Sequence, residues 1–281
     1  MHYYKYNGKI LETGTPAIGP DNRGLRYGDG LFETLKFHNG SLILVDEHFA
    51  RLWKGMQLLQ FDIPKLFTPD LLQQQVTGLL KKNGHTNARV RITVIRGDGG
   101  LYDAKNNPGY LIQSWPLLQD TGTLNENGLH TGIFRDGGKM ADQFANCKHN
   151  NYLPYFMGAL FAKNNKLNDA IILNNHGRIC DSTIANIFLL KNDIVFTPAL
   201  SEGCVAGVLR KFILQTLPGH GIEIQEEAIA EEMLLDADEV FLTNSIYNMR
   251  WIAAIENKTF SNLKTKEIFN LLCQTNPAVF C

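Results

Sequence analysis

Lys148 lies in the polar run Ala145-Asn146-Cys147-Lys148-His149-Asn150-Asn151-Tyr152. A lysine amine can attack a carbonyl and form a Schiff base, but only when neutral, which needs burial or a cationic neighbour. Its sequence neighbours do not show either, and taken alone it reads as a solvated lysine before a helix. Other segments offer groups that would suit the same chemistry. Arg51, in Asp46-Glu47-His48-Phe49-Ala50-Arg51-Leu52, carries a planar guanidinium able to grip phosphate with two bonds. A lone helical arginine is more often solvated or in a weak surface pair. Gly203-Cys204-Val205-Ala206-Gly207-Val208-Leu209-Arg210 places a glycine at a helix start, where free N–H groups attract phosphate. A routine loop-to-helix junction fits those residues equally well. Thr243-Asn244-Ser245 ends a strand and offers N–H and hydroxyl donors, or is only a polar strand end. Asp181 is either a buried carboxylate, which beside a ring nitrogen would keep that nitrogen protonated, or a turn residue capping Ser182-Thr183.

Other signals point away from competing chemistries. Gly97-Asp98-Gly99-Gly100 lacks the lysine and hydroxyl residue of a nucleotide-binding loop and reads as a flexible turn near a site mouth. His38, His48 and His85 have no metal-ligand spacing and read as solvated or packed, so no metal is expected. The five cysteines form no CxxC pair and are expected to be reduced thiols in a cytoplasmic protein. The 281 residues are 44% hydrophobic and 20% charged with a net charge of −1, ordinary for a soluble globular chain. No footprint for nucleic acid or an anionic membrane follows from that balance. The first residues lack the apolar centre of a signal peptide, and no apolar run approaches the ~20 residues that span a bilayer.

The elements that must position these groups follow from periodicity. Leu31, Glu33, Leu35 and Phe37 alternate with Phe32, Thr34 and Lys36, a strand pattern. Asn39-Gly40 predicts a hairpin turn into a strand over residues 42–45, after which Asp46 is expected to cap a helix. Phe49, Leu52, Trp53, Met56 and Leu59 give that helix an apolar stripe, with Arg51 off it. Ala88, Val90, Ile92 and Val94 alternate with Arg89, Arg91 and Thr93 in another strand. Residues 118–128 are polar and turn-forming and are expected to link a small domain (1–117) to a larger one (129–281). In the second part a helix is predicted over 152–163 with Leu153, Phe156, Leu160 and Phe161 inside. Strands are predicted over 170–173, 184–190, 194–196 and 239–243, and helices from Gly207 and over 231–235. Hairpins in the first part and mixed elements in the second predict an α+β architecture.

Taken together, Lys148, the Glu47-His48-Phe49-Ala50-Arg51-Leu52 helix, Gly207-Val208-Leu209 and Thr243-Asn244-Ser245 resemble the class-IV aminotransferases. These are fold-type IV enzymes that use pyridoxal 5′-phosphate, and the resemblance runs from about Tyr6 to Trp251. It implies two domains, a homodimer and a small amino acid-type substrate. By motif, Lys148 would be the Schiff-base lysine and proton shuttle, and Arg51 would hold the cofactor phosphate. The backbone of Val208 and Leu209, with Asn244 and Ser245, would complete the phosphate cup. Tyr152 would meet the cofactor's phenolic oxygen. Asp181 falls where the family has a glutamate on the pyridine nitrogen; the aspartate is shorter by one methylene, about 1.5 Å. Tyr27, Phe32, Lys36, Arg91, Leu101 and Tyr102 are the expected substrate-side residues.

The resemblance covers enzymes of differing reaction. D-amino acid aminotransferases carry a tyrosine in the first motif and an Arg-x-His after the Arg-Gly turn. This chain has Phe32 and Leu101-Tyr102-Asp103 there, which disfavours that activity. Branched-chain enzymes usually show Gly-Thr-Ala where this chain has Asn244-Ser245-Ile246, although Arg91 matches their substrate-site arginine. Arg91-Ile92-Thr93-Val94 and Thr243-Asn244-Ser245-Ile246 are more similar to 4-amino-4-deoxychorismate lyases, which release 4-aminobenzoate and pyruvate. That lyase is the expected activity. The alternatives are a branched-chain-type aminotransferase using 2-oxoglutarate and glutamate, and a cofactor-binding protein with weak catalysis.

Overall fold

The structure, a computed structural model, describes residues 2–103, 106–117 and 122–280. The chain divides into two compact units, Met1–Gln119 with Cys147–Asn151, and Asp120–Asn146 with Tyr152–Cys281. Part of the segment expected to act as a linker, residues 118–121, lies outside the described residues.

In the first unit the described elements run β1 (Tyr3–Tyr6), β2 (Lys9–Glu12), α1 (Arg23–Tyr27), β3 (Gly30–His38), β4 (Ser41–Leu42), α2 (Val45–Leu58), α3 (Pro69–Lys82), β5 (Ala88–Arg96) and β6 (Pro108–Pro116). The strands form one sheet in the order β2-β1-β6-β5-β3-β4, with antiparallel neighbours throughout. The alternation read from the sequence fixes its faces. Leu31 and Leu35 of β3 and Val90, Ile92 and Val94 of β5 point into a core shared with Phe49, Leu52 and Met56 of α2 and Leu72, Val76 and Leu79 of α3. Phe32, Lys36 and Arg91 alternate with those core positions and point to the other face.

The predicted strand over 42–45 is only two residues long. Leu44 adopts a left-handed conformation (φ 50°) and α2 starts at Val45, so Asp46 does not cap the helix but lies with Glu47 in its first turn. Two carboxylates there still complement the helix dipole. The apolar run that reads as strand belongs in part to the core under the helix, where Leu42 and Val45 pack.

The second unit contains β7 (Leu129–Lys139), α4 (Leu153–Asn164), β8 (Asp169–Asn174), β9 (Ile179–Ser182), β10 (Asn186–Lys191), β11 (Ile194–Pro198), α5 (Val208–Thr216), β12 (Ile224–Glu227), α6 (Glu231–Leu235), β13 (Glu239–Asn244), β14 (Asn248–Ile255), β15 (Lys258–Thr259), α7 (Leu263–Thr275) and α8 (Pro277–Phe280). Its sheet runs β12-β11-β10-β13-β14-β7-β8-β9, with β15 against β14. β7 lies parallel to both β14 and β8, and β8 pairs antiparallel with β9. β8 is buried on both faces: Ile171 and Leu173 enter one core, Ala170 and Ile172 another beneath α4.

The face of α4 differs from the prediction. Leu153, Phe156 and Leu160 are exposed, and Tyr155, Gly158 and Ala162 face inward, with Phe161 packing at the margin. The helix is apolar almost all round, so periodicity does not choose a face. Packing does: a Cβ at Gly158 would come 2.5 Å from Ile172 Cδ1, so the absent side chain lets the helix lie close on β8. β9, which carries Asp181, is a strand where the sequence reads equally as a turn. Among the described residues no helix is long and apolar enough to cross a membrane.

Candidate active site

The candidate residues fall into two groups, one in each unit. In the first unit, the segment around Lys148 is tied by main-chain bonds to the N-terminal part of β3, on the side that β4 covers only at Phe37 and His38. The Phe32 N–H donates to the Lys148 carbonyl at 2.8 Å and the Asn150 N–H to the Gly30 carbonyl at 2.9 Å. Lys148 Nζ lies 4.7 Å from the centre of the Phe32 ring, and the Arg91 guanidinium carbon lies 3.7 Å from the same centre. Arg91 reaches Phe32 diagonally, because it stands directly opposite Thr34 in the β3–β5 ladder. Its Nε donates to Thr93 Oγ1 at 3.2 Å. The Phe32 ring thus holds two cations, an arrangement favoured by its electron-rich faces. Lys36, two strand positions beyond Thr34, is also buried.

Arg51 is oriented by a carboxylate that the sequence reading left as a strand residue. Glu33 points from β3 under α2, with Oε1 accepting from Arg51 Nε (2.8 Å) and Oε2 from Arg51 Nη2 (2.6 Å). His48 Nδ1 joins Oε2 at 2.7 Å and, as the neutral ring, donates to it. Burial pushes the Glu33 carboxyl up, but the Arg51 charge and the His48 bond outweigh it and hold the pKa at about 2. Burial holds His48 below its ordinary value, against the pull of Glu33. The pair fixes the plane of a guanidinium whose side chain is 14% exposed, with Nε and Nη2 both turned to Glu33. The spacing of His48 and Arg51, three apart on a helix facing Glu33 on a strand, is the signal from which this triad could have been read.

Tyr27 and Leu101 belong to a cavity in the same unit. With Arg23, Asp29, Leu59, Gln60, Arg96 and Asn106 they line its volume of about 340 Å³. Tyr102 is 99% exposed and belongs to neither set. The six expected substrate-side residues therefore separate into Phe32, Lys36 and Arg91 on the sheet face, and Tyr27, Leu101 and Tyr102 elsewhere in the unit.

In the second unit Asp181 is the centre. Its Oδ2 accepts from the Tyr155 hydroxyl at 2.6 Å and from the Val205 N–H at 3.0 Å, and Oδ1 accepts from Asn186 Nδ2 at 2.8 Å. Lys139 Nζ lies 3.6 Å from Oδ2. Burial raises the pKa of Asp181, and the charge of Lys139 is the largest influence opposing it. Tyr152 stacks on Tyr155 with ring centres 4.4 Å apart and donates its hydroxyl to the Thr183 carbonyl at 3.0 Å.

Asn186 links this carboxylate to the start of α5. Its Nδ2 also donates to the Val205 carbonyl at 2.8 Å, and its Oδ1 occupies the place a Cβ on Gly207 would take. Only glycine allows that approach. Gly207 supplies no side-chain cap, so the first N–H groups of α5, at Val208 and Leu209, lack a capping partner from that residue. Asn244 turns its side chain to its own loop: Oδ1 accepts from the N–H groups of Ile246 (2.9 Å) and Tyr247 (3.1 Å), and Nδ2 donates to the Ile184 carbonyl. It shapes the turn that carries Ser245. Lys139, Tyr155 and Asn186 are residues the sequence reading did not select; each is ordinary until the fold sets it against Asp181.

A two-unit α+β fold, with a half-buried lysine and an oriented arginine in one unit and a helix start without a side-chain cap in the other, defines a class with known relatives. The class IV amino-transferase family matches residues 30–255. The chain is 26% identical over 260 residues to D-alanine aminotransferase of Bacillus licheniformis, covering 92% of this chain and 89% of that protein. It is 29% identical over 243 residues to aminodeoxychorismate lyase of Vibrio harveyi, covering 84% and 88%. The branched-chain aminotransferase of Thermoproteus uzoniensis, solved with norvaline, superposes with a TM-score of 0.86 at 21% identity over 96% of this chain and 92% of that one. This chain belongs to the class-IV aminotransferase family, whose aminotransferases and lyases are pyridoxal 5′-phosphate enzymes of fold type IV.

Proposed function

We propose that this protein is a pyridoxal 5′-phosphate-dependent 4-amino-4-deoxychorismate lyase, releasing 4-aminobenzoate and pyruvate. The observation that carries the reading is the sheet face beside Lys148. Arg91 and Lys148 flank one aromatic ring, with Lys36 buried on the same strand. Such a surface suits a flat, doubly anionic ring better than an aliphatic side chain.

The residues fit the cofactor by their donors and acceptors. In the first unit the oriented guanidinium at Arg51 suits a phosphate, and in the second so do the first-turn N–H groups of Val208 and Leu209 with Ser245 at the turn shaped by Asn244. Among the described residues Asp181 Oδ1 accepts from Asn186, which leaves an acceptor site for a ring N–H. Tyr152 would stand at the phenolic oxygen. The bound cofactor supplies a carbonyl for amine capture and an electron sink for the pair left when a proton leaves carbon. Lys148, with Nζ over the Phe32 ring, would take the proton from the substrate and return it. Arg91 orients the substrate through a carboxylate, and Asp181 keeps the ring nitrogen protonated.

A branched-chain-type aminotransferase is the second reading, favoured by Arg91 standing where those enzymes keep a substrate-site arginine. A cytoplasmic homodimer is part of the proposal. The exposed apolar row Leu153, Phe156, Met157 and Leu160 of α4 supports an interface between copies of the chain. The test is release of 4-aminobenzoate when the cofactor-loaded protein meets 4-amino-4-deoxychorismate. Rapid release that Lys148→Ala abolishes is the expected outcome. No release would overturn the lyase reading and move the assay to branched-chain amino acids with 2-oxoglutarate.

A further inference from the structure

Lys139 ends β7 at 5% exposure, and its Nζ has no hydrogen-bond partner among the described residues. Burying an ammonium in this way is costly unless a counter-charge compensates it. The compensating group is Asp181, with Oδ2 at 3.6 Å, while the Tyr155 ring centre lies 5.2 Å away. The polar and titratable groups packed around Asp181 come from several elements. Tyr155 comes from α4, Cys180 from β9 itself, Asn186 from β10 and Cys204 from the segment before α5. Burial pushes the Tyr155 hydroxyl and the Cys180 thiol well up, and the Cys204 thiol to about 12, so all three are neutral around neutral pH. Lys139 is the cation of the set.

The geometry also sorts the two oxygens. Among the described residues Tyr155, Val205 and Lys139 approach Oδ2, and Asn186 approaches Oδ1. A short carboxylate anchored on one oxygen presents the other. We propose that Lys139 is a positioning residue that fixes the negative charge on Asp181, so that the proton between Asp181 and the ring nitrogen of pyridoxal 5′-phosphate stays on nitrogen. This rests on the assignment of Asp181 to that nitrogen made above. Without Lys139 the carboxyl becomes the more basic partner, and a low-dielectric site favours the uncharged pair. The proton then passes from nitrogen to Oδ1, with no bond to carbon made or broken.

The test uses the full-length protein loaded with pyridoxal 5′-phosphate carrying ¹⁵N in the ring. The ring-nitrogen chemical shift is read at neutral pH for the wild type, Lys139→Met, Lys139→Arg and Asp181→Asn. The wild type and Lys139→Arg are expected at the protonated position and Lys139→Met at the unprotonated one, with kcat lowered about tenfold and KM little changed. A protonated shift in Lys139→Met overturns the role of Lys139. A shift unchanged by Asp181→Asn overturns the assignment of Asp181 itself, a separate failure. Should Lys139→Met not fold, the wild type decides: an ionised Asp181 carboxylate by ¹³C resonance supports the proposal, and a protonated carboxyl overturns it.

Discussion

Glu33 and Asp181 are both buried carboxylates, and the two units treat them in opposite ways. Glu33 meets a full charge: a two-pronged arginine, with a neutral histidine donating beside it, holds it at about 2, against its burial. Asp181 is surrounded by neutral donors, with one lysine at 3.6 Å, and its pKa is raised. On the proposed assignment of Asp181 to the ring nitrogen, the difference separates a structural carboxylate from a working one. A carboxylate that only aims an arginine is best locked in one ionisation state. One that shares a proton with a bound ring must lie close enough to balance for a single neighbour to set the outcome.

The comparison can be broken in order of expected effect. Replacing Lys148 with Ala should lower turnover by about a thousandfold or more, since the residue is assigned both capture and proton transfer; steady-state product formation measures it, and a loss under tenfold would move the amine elsewhere. Glu33→Gln should destabilise the protein by about 3–5 kcal/mol, because Arg51 loses its buried counter-charge. Urea denaturation of the two proteins reads that difference, and equal midpoints would reduce the triad to a surface-like pair. The sign of the Glu33 shift also predicts an acid limit. A carboxyl held at about 2 against an ordinary 4.5 contributes stability above 4.5 that is lost as pH falls towards 2. Thermal melts across that range should show the loss in the wild type and little of it in Glu33→Gln.

Smaller effects probe the second unit. Gly158→Ala should cost about 1–3 kcal/mol, because the new methyl meets Ile172 and lifts α4 from β8; an unchanged melting temperature would mean the helix yields freely. Gly207→Ala should weaken cofactor affinity by about tenfold with a smaller change in stability, since the methyl displaces Asn186 at the start of α5. Dialysis against free pyridoxal 5′-phosphate with absorbance detection would show it.

Much of the first unit was legible in sequence because its strands face two different surroundings. Alternation in β3 and β5 separated the Leu31 and Leu35 face from the Phe32 and Lys36 face. Alternation could not show that the polar residue on the core face, Glu33, had partners, because His48 and Arg51 come from a separate element. The same limit applied to α4, where apolar residues on all sides hid the inward face until Gly158 was placed on Ile172. Lys139 was hidden for a further reason: a lysine closing a strand is usually solvated, and only the parallel pairing of β7 with β8 carries it into the interior.

The lacing of residues 148–150 to β3 sets a rule for how this protein can vary. The lysine is addressed by main-chain register, through the bonds at Phe32 and Gly30, and not by the identity of its neighbours. Substitutions at the exposed Met140, Asp142, Gln143 and Phe144 touch neither of these main-chain bonds. A single inserted or deleted residue that shifted the pairing would turn the lysine to the opposite side of the sheet. Chain length in that stretch should therefore be far less tolerant of change than its composition.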